Sequence, residues 1–358
     1  MNEISVIVPM YNSENFIKNI LLDLESQIFK NFEIIIIDDG SKDNSVKMTE
    51  EFKKHSSMKL KIITLTHNGG TARARNIGLK EAKCKYVYFV DSDDRITNDC
   101  LLNLYKDITE TDSDIAICNY DVIDENQQVI FNENRIFIFN DNFPSSLDNK
   151  IVFQSKLVLE RPENSNGSFL TGFAPMGCFL FKKDIVEINK IKFTSGARYG
   201  EDTEFFAKII FYSKNIVLDK RILSHHVYNK SSQTRRHSNP QNILNMVFNY
   251  VGSFQRLAKY LEKQNAPKSL VNYIYYVVIP DVVVSNAIRR LMIEDYPKDK
   301  LKTILKNKQI QRMIKRYKFS FRNKFSIKRS IRVLSFILSP TLFYIFFTRR
   351  LKLTKRGI

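Results

Sequence analysis

The sequence predicts an α/β protein: a doubly wound, mainly parallel sheet over about the first two thirds of the chain, then a C-terminal helical region. Three observations carry this. Four continuous apolar runs fall within the first 120 residues, as strands buried on both faces require. Stretches of helical period separate them, giving the alternation that builds parallel sheets. From about residue 240 onward the pattern is helical only.

The elements follow in order. "ISVIVP" (4–9), "EIIIID" (33–38), "LKIITL" (60–65) and "YVYFVD" (86–91) are the predicted strands. Between the first two, Phe16, Ile17, Ile20, Leu21 and Leu24 fall on one helical face, with Ser13 in position to cap it. "GGTARARNIGLKEAK" supplies a further helix, with Ile77 and Leu79 among its few large apolar residues. Beyond residue 120, "CFLFKK" predicts a strand and "EDTEFFAKIIF" a helix with Phe205, Phe206, Ile209 and Ile210 on one face. A long helix opens near Pro240, its stripe marked by Leu244, Val247, Tyr250, Val251, Phe254, Leu257 and Leu261.

Composition excludes some classes. With 43% hydrophobic and 12% aromatic residues in 358, the chain can bury a core and is not disordered throughout. Cys84, Cys100, Cys118 and Cys178 form no CxxC pair and no zinc spacing, so they read as core residues in a reducing compartment. "MNEISVIVPM" has neither a basic n-region nor a long apolar h-region, so no secretory leader is expected in it. The segment from Arg289 to Ile358 carries 21 Lys and Arg against Glu294, Asp295 and Asp299, so the whole net charge of +18 resides there. A neutral body with a basic end points to an anionic partner, a membrane surface or nucleic acid.

Ligands of such sheets bind beyond the carboxyl ends of the strands, and four polar loops gather there. Pro9 and Tyr11 follow the first run, "DDGSKDNS" the second, "THNGG" the third and "DSDD" (91–94) the fourth. Neither GxGxxG nor a P-loop occurs, so a phosphate ligand must be held in another way. Carboxylates suit Mg²⁺ or Mn²⁺ bridging a diphosphate, with Asp93 on the metal and Asp91 facing the sugar or base. Taken alone, the same carboxylates are as readily a solvated turn before a helix starting at Thr97. Asp39 is either turn chemistry or an acceptor for a nucleobase N–H. Asn68, Arg73 and Arg75 read as a loop and an exposed helix face, or Arg75 as the neutraliser of a carboxylate or a nucleotide contact.

Together, "SVIVPMYN", "IIIIDDGSKDNS", "NGGTARARNIGL", "FVDSDD" and "GEDTEFF" resemble, in order and spacing, the bacterial family 2 glycosyltransferases over residues 3–235. The resemblance implies a GT-A fold, a nucleotide-binding half over about 1–120, an acceptor half over about 121–235 and an appended region over 236–358. It implies a hexosyl- or N-acetylhexosaminyltransferase using a nucleoside diphosphate sugar, commonly UDP-linked, with Mn²⁺ or Mg²⁺. Pro9, Tyr11, Asp39, Asn68, Arg75 and Asp91 match nucleotide-binding positions and Asp93 the metal ligand. Asp202 matches the catalytic base, with Glu201 beside it. A helix N-terminus there would lower a carboxylate's pKa and keep it ionised. His226 is a candidate for the metal shell, His225 the alternative, although a lone histidine is also commonly structural. The chain has no Trp where many relatives carry one, so its acceptor shelf must differ.

One base and one displacement imply inversion, with Lys230 or Arg235 assisting the leaving group. The runner-up classes are a nucleotidyltransferase and a non-catalytic sugar-nucleotide-binding membrane protein. An apolar run from Val333 to Phe347, broken by Pro340, is short for a membrane span and is flanked by basic residues. It predicts an interfacial segment on an anionic leaflet, with "KNKQIQRMIKRYK" (Ile310, Met313, Ile314 and Tyr317 on one face) repeating the theme. The competing reading is a packed helical pair. No nucleic-acid motif occurs. The expected setting is the inner face of a bacterial plasma membrane, with a glycan, lipid-linked, as acceptor.

Overall fold

The computed structural model describes residues 2–131, 175–228, 240–283, 307–318 and 333–334. Two compact units divide the chain, Met1–Ser165 with Gly172–Lys230 and Asn166–Thr171 with Ser231–Ile358.

The first unit begins with the expected winding: β1 (Ile4–Met10), α1 (Ile17–Glu25), β2 (Phe32–Asp38), α2 (Ser45–His55), β3 (Leu60–Thr64), α3 (Thr71–Glu81) and β4 (Tyr86–Phe89). These strands lie in the order β3-β2-β1-β4, all parallel. There follow β5 (Arg95–Ile96), α4 (Cys100–Glu110), β6 (Ile115–Ile123), β7 (Val129–Phe131), β8 (Phe179–Lys182), α5 (Lys183–Ile188), α6 (Glu201–Tyr212) and β9 (Ile216–Val227). β8 joins β4 antiparallel, β6 lies antiparallel to β8, and β9 runs parallel to β6 with β5 at its edge. The doubly wound expectation therefore holds, and antiparallel strands extend the sheet beyond β4.

Packing explains where the helices sit. β1 and β2 are buried along their whole length, as continuous apolar strands covered on both faces should be. The buried residues of α3 are Ala72, Ala74 and Gly78, all small, together with Arg75, while Ile77 and Leu79 are half-buried. A Cβ at Gly78 would stand 2.3 Å from Ile7 Cγ2, so the glycine sets how closely α3 lies on β1. On the same face Phe205 of α6 stacks on Phe193 at 3.8 Å between centroids, and Phe206 stacks on Phe179 at 3.8 Å. The expected face Phe205, Phe206, Ile209 and Ile210 is completely buried. Ser13 is not a side-chain cap: α1 begins at Ile17 after Phe16, and the Ser13 hydroxyl bonds Ser92 Oγ instead. All four cysteines are free and buried.

In the second unit, α7 (Pro240–Lys263) buries the whole expected stripe from Leu244 to Leu261. The next helical run passes through α8 (Lys268–Tyr273), a π-helical turn (Ile274–Val278) and α9 (Ile279–Val282). Pro280 has no amide to give the Tyr276 carbonyl, and the Lys318 amide donates to it at 2.9 Å. The Lys318 ammonium lies over the Tyr276 ring, 4.5 Å from its centroid. This fastens the end of α10 (Lys308–Lys315), which Asn307 caps through bonds from the Gln309 and Ile310 amides. Ile310 and Ile314 are fully buried and Tyr317 nearly so. The expected interfacial theme at 306–318 is therefore replaced by packing on the 274–282 run. The run Val333–Phe347 lies outside the described residues except Val333 and Leu334, and no described helix is long and apolar enough to cross a membrane.

Candidate active site

The site grows from the carboxyl ends of the parallel strands, all within the first unit. Met10 pairs with Asp38 and Asp38 with Thr64, so the β1, β2 and β3 loops leave one edge together. Hydrogen bonds zip the first two loops. Asn12 N donates to Ser41 Oγ at 2.9 Å, Lys42 N to Asn12 Oδ1 at 2.8 Å and Glu14 N to Asp43 at 3.0 Å. Asn44 answers with its amide and side chain on Glu14 Oε2. Ser13 and Ser92, hydroxyls 2.7 Å apart, tie this pair to the DSDD loop.

Asp39, almost fully buried, accepts both loop amides of the third motif: Gly69 N at 3.0 Å and Gly70 N at 2.7 Å. Asn68 beside it is exposed. Tyr11 is 38% exposed at the rim, while Pro9 is buried within β1 opposite Ile37. Of the six expected nucleotide-binding residues, Tyr11, Asn68 and Asp91 thus reach solvent, and Asp39 shapes the loop that carries Asn68.

Arg75 lies inward. Its guanidinium is buried, holding Asp91 Oδ1 through Nη2 at 2.7 Å and Glu201 Oε1 through Nη1 at 3.2 Å. Phe193 lies under it at 5.5 Å. Of the readings open to Arg75 from sequence, carboxylate neutralisation is the one its contacts realise. It joins the fourth motif to the fifth. Burial, together with the Asp202 charge, pushes Glu201 up to about 7, with Arg75 pulling the other way. The expected lowering of Glu201 at the helix N-terminus is therefore overturned, because desolvation and a neighbouring carboxylate outweigh the dipole. Asp202 Oδ1 accepts the Thr203 amide at 2.6 Å.

Asp93, Asp94 and His226 form the second cluster. Asp94 is buried and accepts from His226 Nδ1 at 2.8 Å and from the Val227 amide at 3.3 Å. Asp94 thus orients the ring as outer carboxylates orient metal-binding imidazoles. His225 pairs instead with Asp121 at 2.6 Å. Asp93 has no ion pair among the described residues, and burial plus the Asp94 and Asp91 charges push it up to about 7. That is a carboxylate lacking a cation. Among the described residues no three metal-ligating side chains are arranged to hold a metal ion together. One carboxylate and one oriented imidazole fit Mg²⁺ or Mn²⁺, which take few protein ligands and complete their shells with water and substrate phosphate.

The sequence profile described as Glycosyl transferase family 2 matches residues 5–188. The chain belongs to this family. It is 31% identical over 236 residues to "Glycosyltransferase GlyA" of Streptococcus pneumoniae, covering 65% of this chain and 32% of GlyA. It is 30% identical over 218 residues to "Poly(ribitol-phosphate) beta-N-acetylglucosaminyltransferase TarP" of Staphylococcus aureus, covering 60% of this chain and 59% of TarP. The chain thus spans less than two thirds of the length of either relative. The fold matches that of S. aureus TarS 1–349 in complex with UDP-GlcNAc, with a TM-score of 0.60, 19% identity, and coverage of 95% of this chain and 91% of that one.

Within this GT-A fold some site residues carried no sequence signal. Asp94 reads as the fourth residue of a turn, and only the tertiary pairing with β9 gives it His226. Asp23, in the last turn of α1, takes Arg95 through two 2.6 Å bonds and fixes the chain just past DSDD. Asn76 exchanges two 2.9 Å bonds with the Phe193 backbone and so positions the approach to α6. Lys230 and Arg235, expected to assist the leaving group, lie outside the described residues.

Proposed function

We propose that this family 2 glycosyltransferase moves a sugar from a UDP-linked donor to a hydroxyl of a cell-surface polymer, with inversion. The observation that carries this reading is the Arg75 bridge, which brings the donor-motif carboxylate Asp91 and Glu201, the neighbour of Asp202, to one guanidinium. The relatives support the substrate classes: TarP is named for N-acetylglucosaminyl transfer to poly(ribitol-phosphate), and the TarS structure is described with UDP-GlcNAc.

In this reading Tyr11 and Asn68 flank the nucleoside, Asp39 keeps one accepting direction for a base N–H, and Asp91 lies near the ribose and diphosphate. Asp93 and His226 would hold Mn²⁺ or Mg²⁺, which would supply positive charge at the diphosphate leaving group. Asp202 takes the proton of the acceptor hydroxyl as its oxygen bonds the anomeric carbon. The bond to the diphosphate breaks with its electron pair. A single displacement with one base gives inversion. The concentration of the net charge in 289–358 supports an acceptor built at the inner face of the plasma membrane, on a lipid carrier.

Calorimetric titration of UDP into the protein with Mn²⁺, and again in EDTA, tests the donor site. Binding that needs the metal, followed by UDP release from UDP-GlcNAc but not from the Asp202→Asn variant, is expected. Folded protein that ignores UDP with or without metal would remove the reading. Behaviour in liposome flotation that ignores both anionic lipid and deletion of 289–358 would remove the membrane setting alone.

A further inference from the structure

We infer that the outer face of α10, formed by Lys308, Arg312, Lys315 and Arg316, is a docking surface for an anionic membrane leaflet. It meets the headgroup phosphates by charge alone and inserts nothing. The inference rests on the membrane setting proposed above and deepens it, naming the face and the manner of contact.

The two sides of the helix have opposite chemistry. At about 100° per residue Ile310, Ile314 and Tyr317 fall on one side, and all three are buried. Lys308, Arg312, Lys315 and Arg316 fall within an arc of about 100° on the other side, and all four are exposed. Arg316, the C-cap, keeps helical backbone angles and so continues the stripe. At a rise of about 1.5 Å per residue, the four cations are strung along about 12 Å of one rigid element. A helix that lies in a bilayer interface keeps its apolar face for the lipid. Here that face is taken up by the protein's own core, and the Lys318 amide fastens the end of the helix to the Tyr276 carbonyl. Charge is what α10 has left to offer a partner.

Nothing acidic offsets that charge locally. Residues 307–318 contain no Asp or Glu, and none of the four cations has an ion pair among the described residues. Lys308 with Arg312, Arg312 with Lys315 and Arg312 with Arg316 are like charges at helical neighbour spacings, which destabilise a helix. The helix dipole compensates Arg312 and Lys315 in the last turn. It works against Lys308, the first helical residue. Helix formation therefore does not account for the stripe, whereas an anionic partner does. The surroundings have the same sign: the described residues of the second unit hold nine Lys and Arg against Glu262 and Asp281. Single-stranded nucleic acid is held by cations interleaved with aromatic rings on which bases stack. This face presents no ring, its one neighbouring tyrosine, Tyr317, being turned inward. A plane of headgroup phosphates needs only the charge.

The test is partitioning of the full-length protein onto phosphatidylcholine vesicles with and without phosphatidylglycerol. Binding is expected to need phosphatidylglycerol. It is expected to be released as salt rises from about 0.1 M to about 1 M, which shortens the screening length from about 10 Å to about 3 Å. The variant Lys308→Gln/Arg312→Gln/Lys315→Gln/Arg316→Gln leaves the buried side untouched. It is expected to match the wild type in circular dichroism and UDP binding. Its vesicle affinity is expected to fall about fivefold for each charge removed, on the order of a few hundredfold in all. Lys18→Gln/Lys47→Gln/Lys53→Gln/Lys54→Gln removes the same charge from exposed positions of α1 and α2 and is expected to bind vesicles like the wild type. Met313→Gln, which changes the half-exposed apolar residue of α10, is expected to do the same. Equal losses in the two fourfold variants would make overall charge, not this face, responsible and overturn the inference. A loss in Met313→Gln matching that of the α10 variant would mean insertion and overturn it too. An α10 variant that binds vesicles like the wild type also overturns it, leaving the membrane setting to the rest of 289–358. If that variant has meanwhile lost binding to duplex DNA, the face belongs to nucleic acid. A wild type indifferent to phosphatidylglycerol removes the setting itself.

Discussion

Arg75 Nη2 stands 2.7 Å from Asp91 Oδ1, and this ion pair is one arm of a fork whose other arm holds Glu201 at 3.2 Å. The arginine is buried, whereas Asp91 is 31% exposed and Glu201 13% exposed. A desolvated cation between two carboxylates from distant segments acts on both stability and site geometry. Truncating it strands two negative charges.

Arg75→Met is therefore expected to cost about 3 kcal/mol, the low end for breaking a buried pair, since solvent screens Asp91. Arg75→Lys retains the charge but cannot fork, so it should recover only part of the loss. Urea unfolding midpoints of the two variants and the wild type measure this. Equal midpoints for Met and Lys would show that packing on Phe193, not charge, is what the arginine provides.

Gly78 tests the closeness of α3 to β1. Gly78→Ala places a methyl 2.3 Å from Ile7 Cγ2, and overpacking of this kind costs about 1–3 kcal/mol. Ile7→Ala in the same chain vacates that space. The two changes together should then cost less than the sum of each alone, read from a double-mutant cycle of unfolding free energies. Additivity would mean that α3 moves off the sheet instead of clashing with it.

The contrast between these two sites shows what the sequence makes legible. Strands β1, β2 and β4 are readable because burial on both faces forces continuous apolar runs, and α6 and α7 because their stripes repeat at helical spacing. β9 is not readable, since Asp219, Lys220 and Arg221 interrupt it at exposed or half-exposed positions where the strand leaves the core. α3 misleads, because its buried positions are alanine, glycine and the charged Arg75, and its larger apolar residues lie at the margin. Within the site, the motif carboxylates stand out as charge at strand ends. Their partners do not: Arg75 could have faced solvent, and Asp94 finds His226 across 132 residues. Such pairings are tertiary, and periodicity is silent about them.

Asp107 of α4 and Asp219 of β9 form a carboxyl pair away from the site. Burial, then the charge and hydrogen bond of Asp219, push Asp107 up to about 7. A raised carboxyl pKa in the folded state stabilises the fold at low pH, fully below the unfolded value near 4, and that stability is lost as pH rises through about 7. Asp107→Asn should thus raise the melting temperature at pH 8 relative to wild type and do little or the reverse at pH 5. The same shift at both pH values would show that the pair carries no shared proton.

Asp93 makes the same argument for a ligand. Its carboxyl is pushed up to about 7 by burial and by Asp94 and Asp91, with His226 and a backbone hydrogen bond opposing. Above that pH the apo protein must hold a poorly compensated charge, so Asp93→Asn should melt higher than wild type at pH 8 without metal. Mn²⁺ binding only the folded state raises stability by about 1.4 kcal/mol for each tenfold excess over its Kd. The wild type should therefore overtake the variant as Mn²⁺ is titrated, and the order of the two melting temperatures should invert. An Asp93→Asn protein that gains as much from Mn²⁺ as the wild type would place the cation elsewhere. Parallel curves with no gain in either protein would leave Asp93 as an uncompensated carboxylate for which Mn²⁺ has no use.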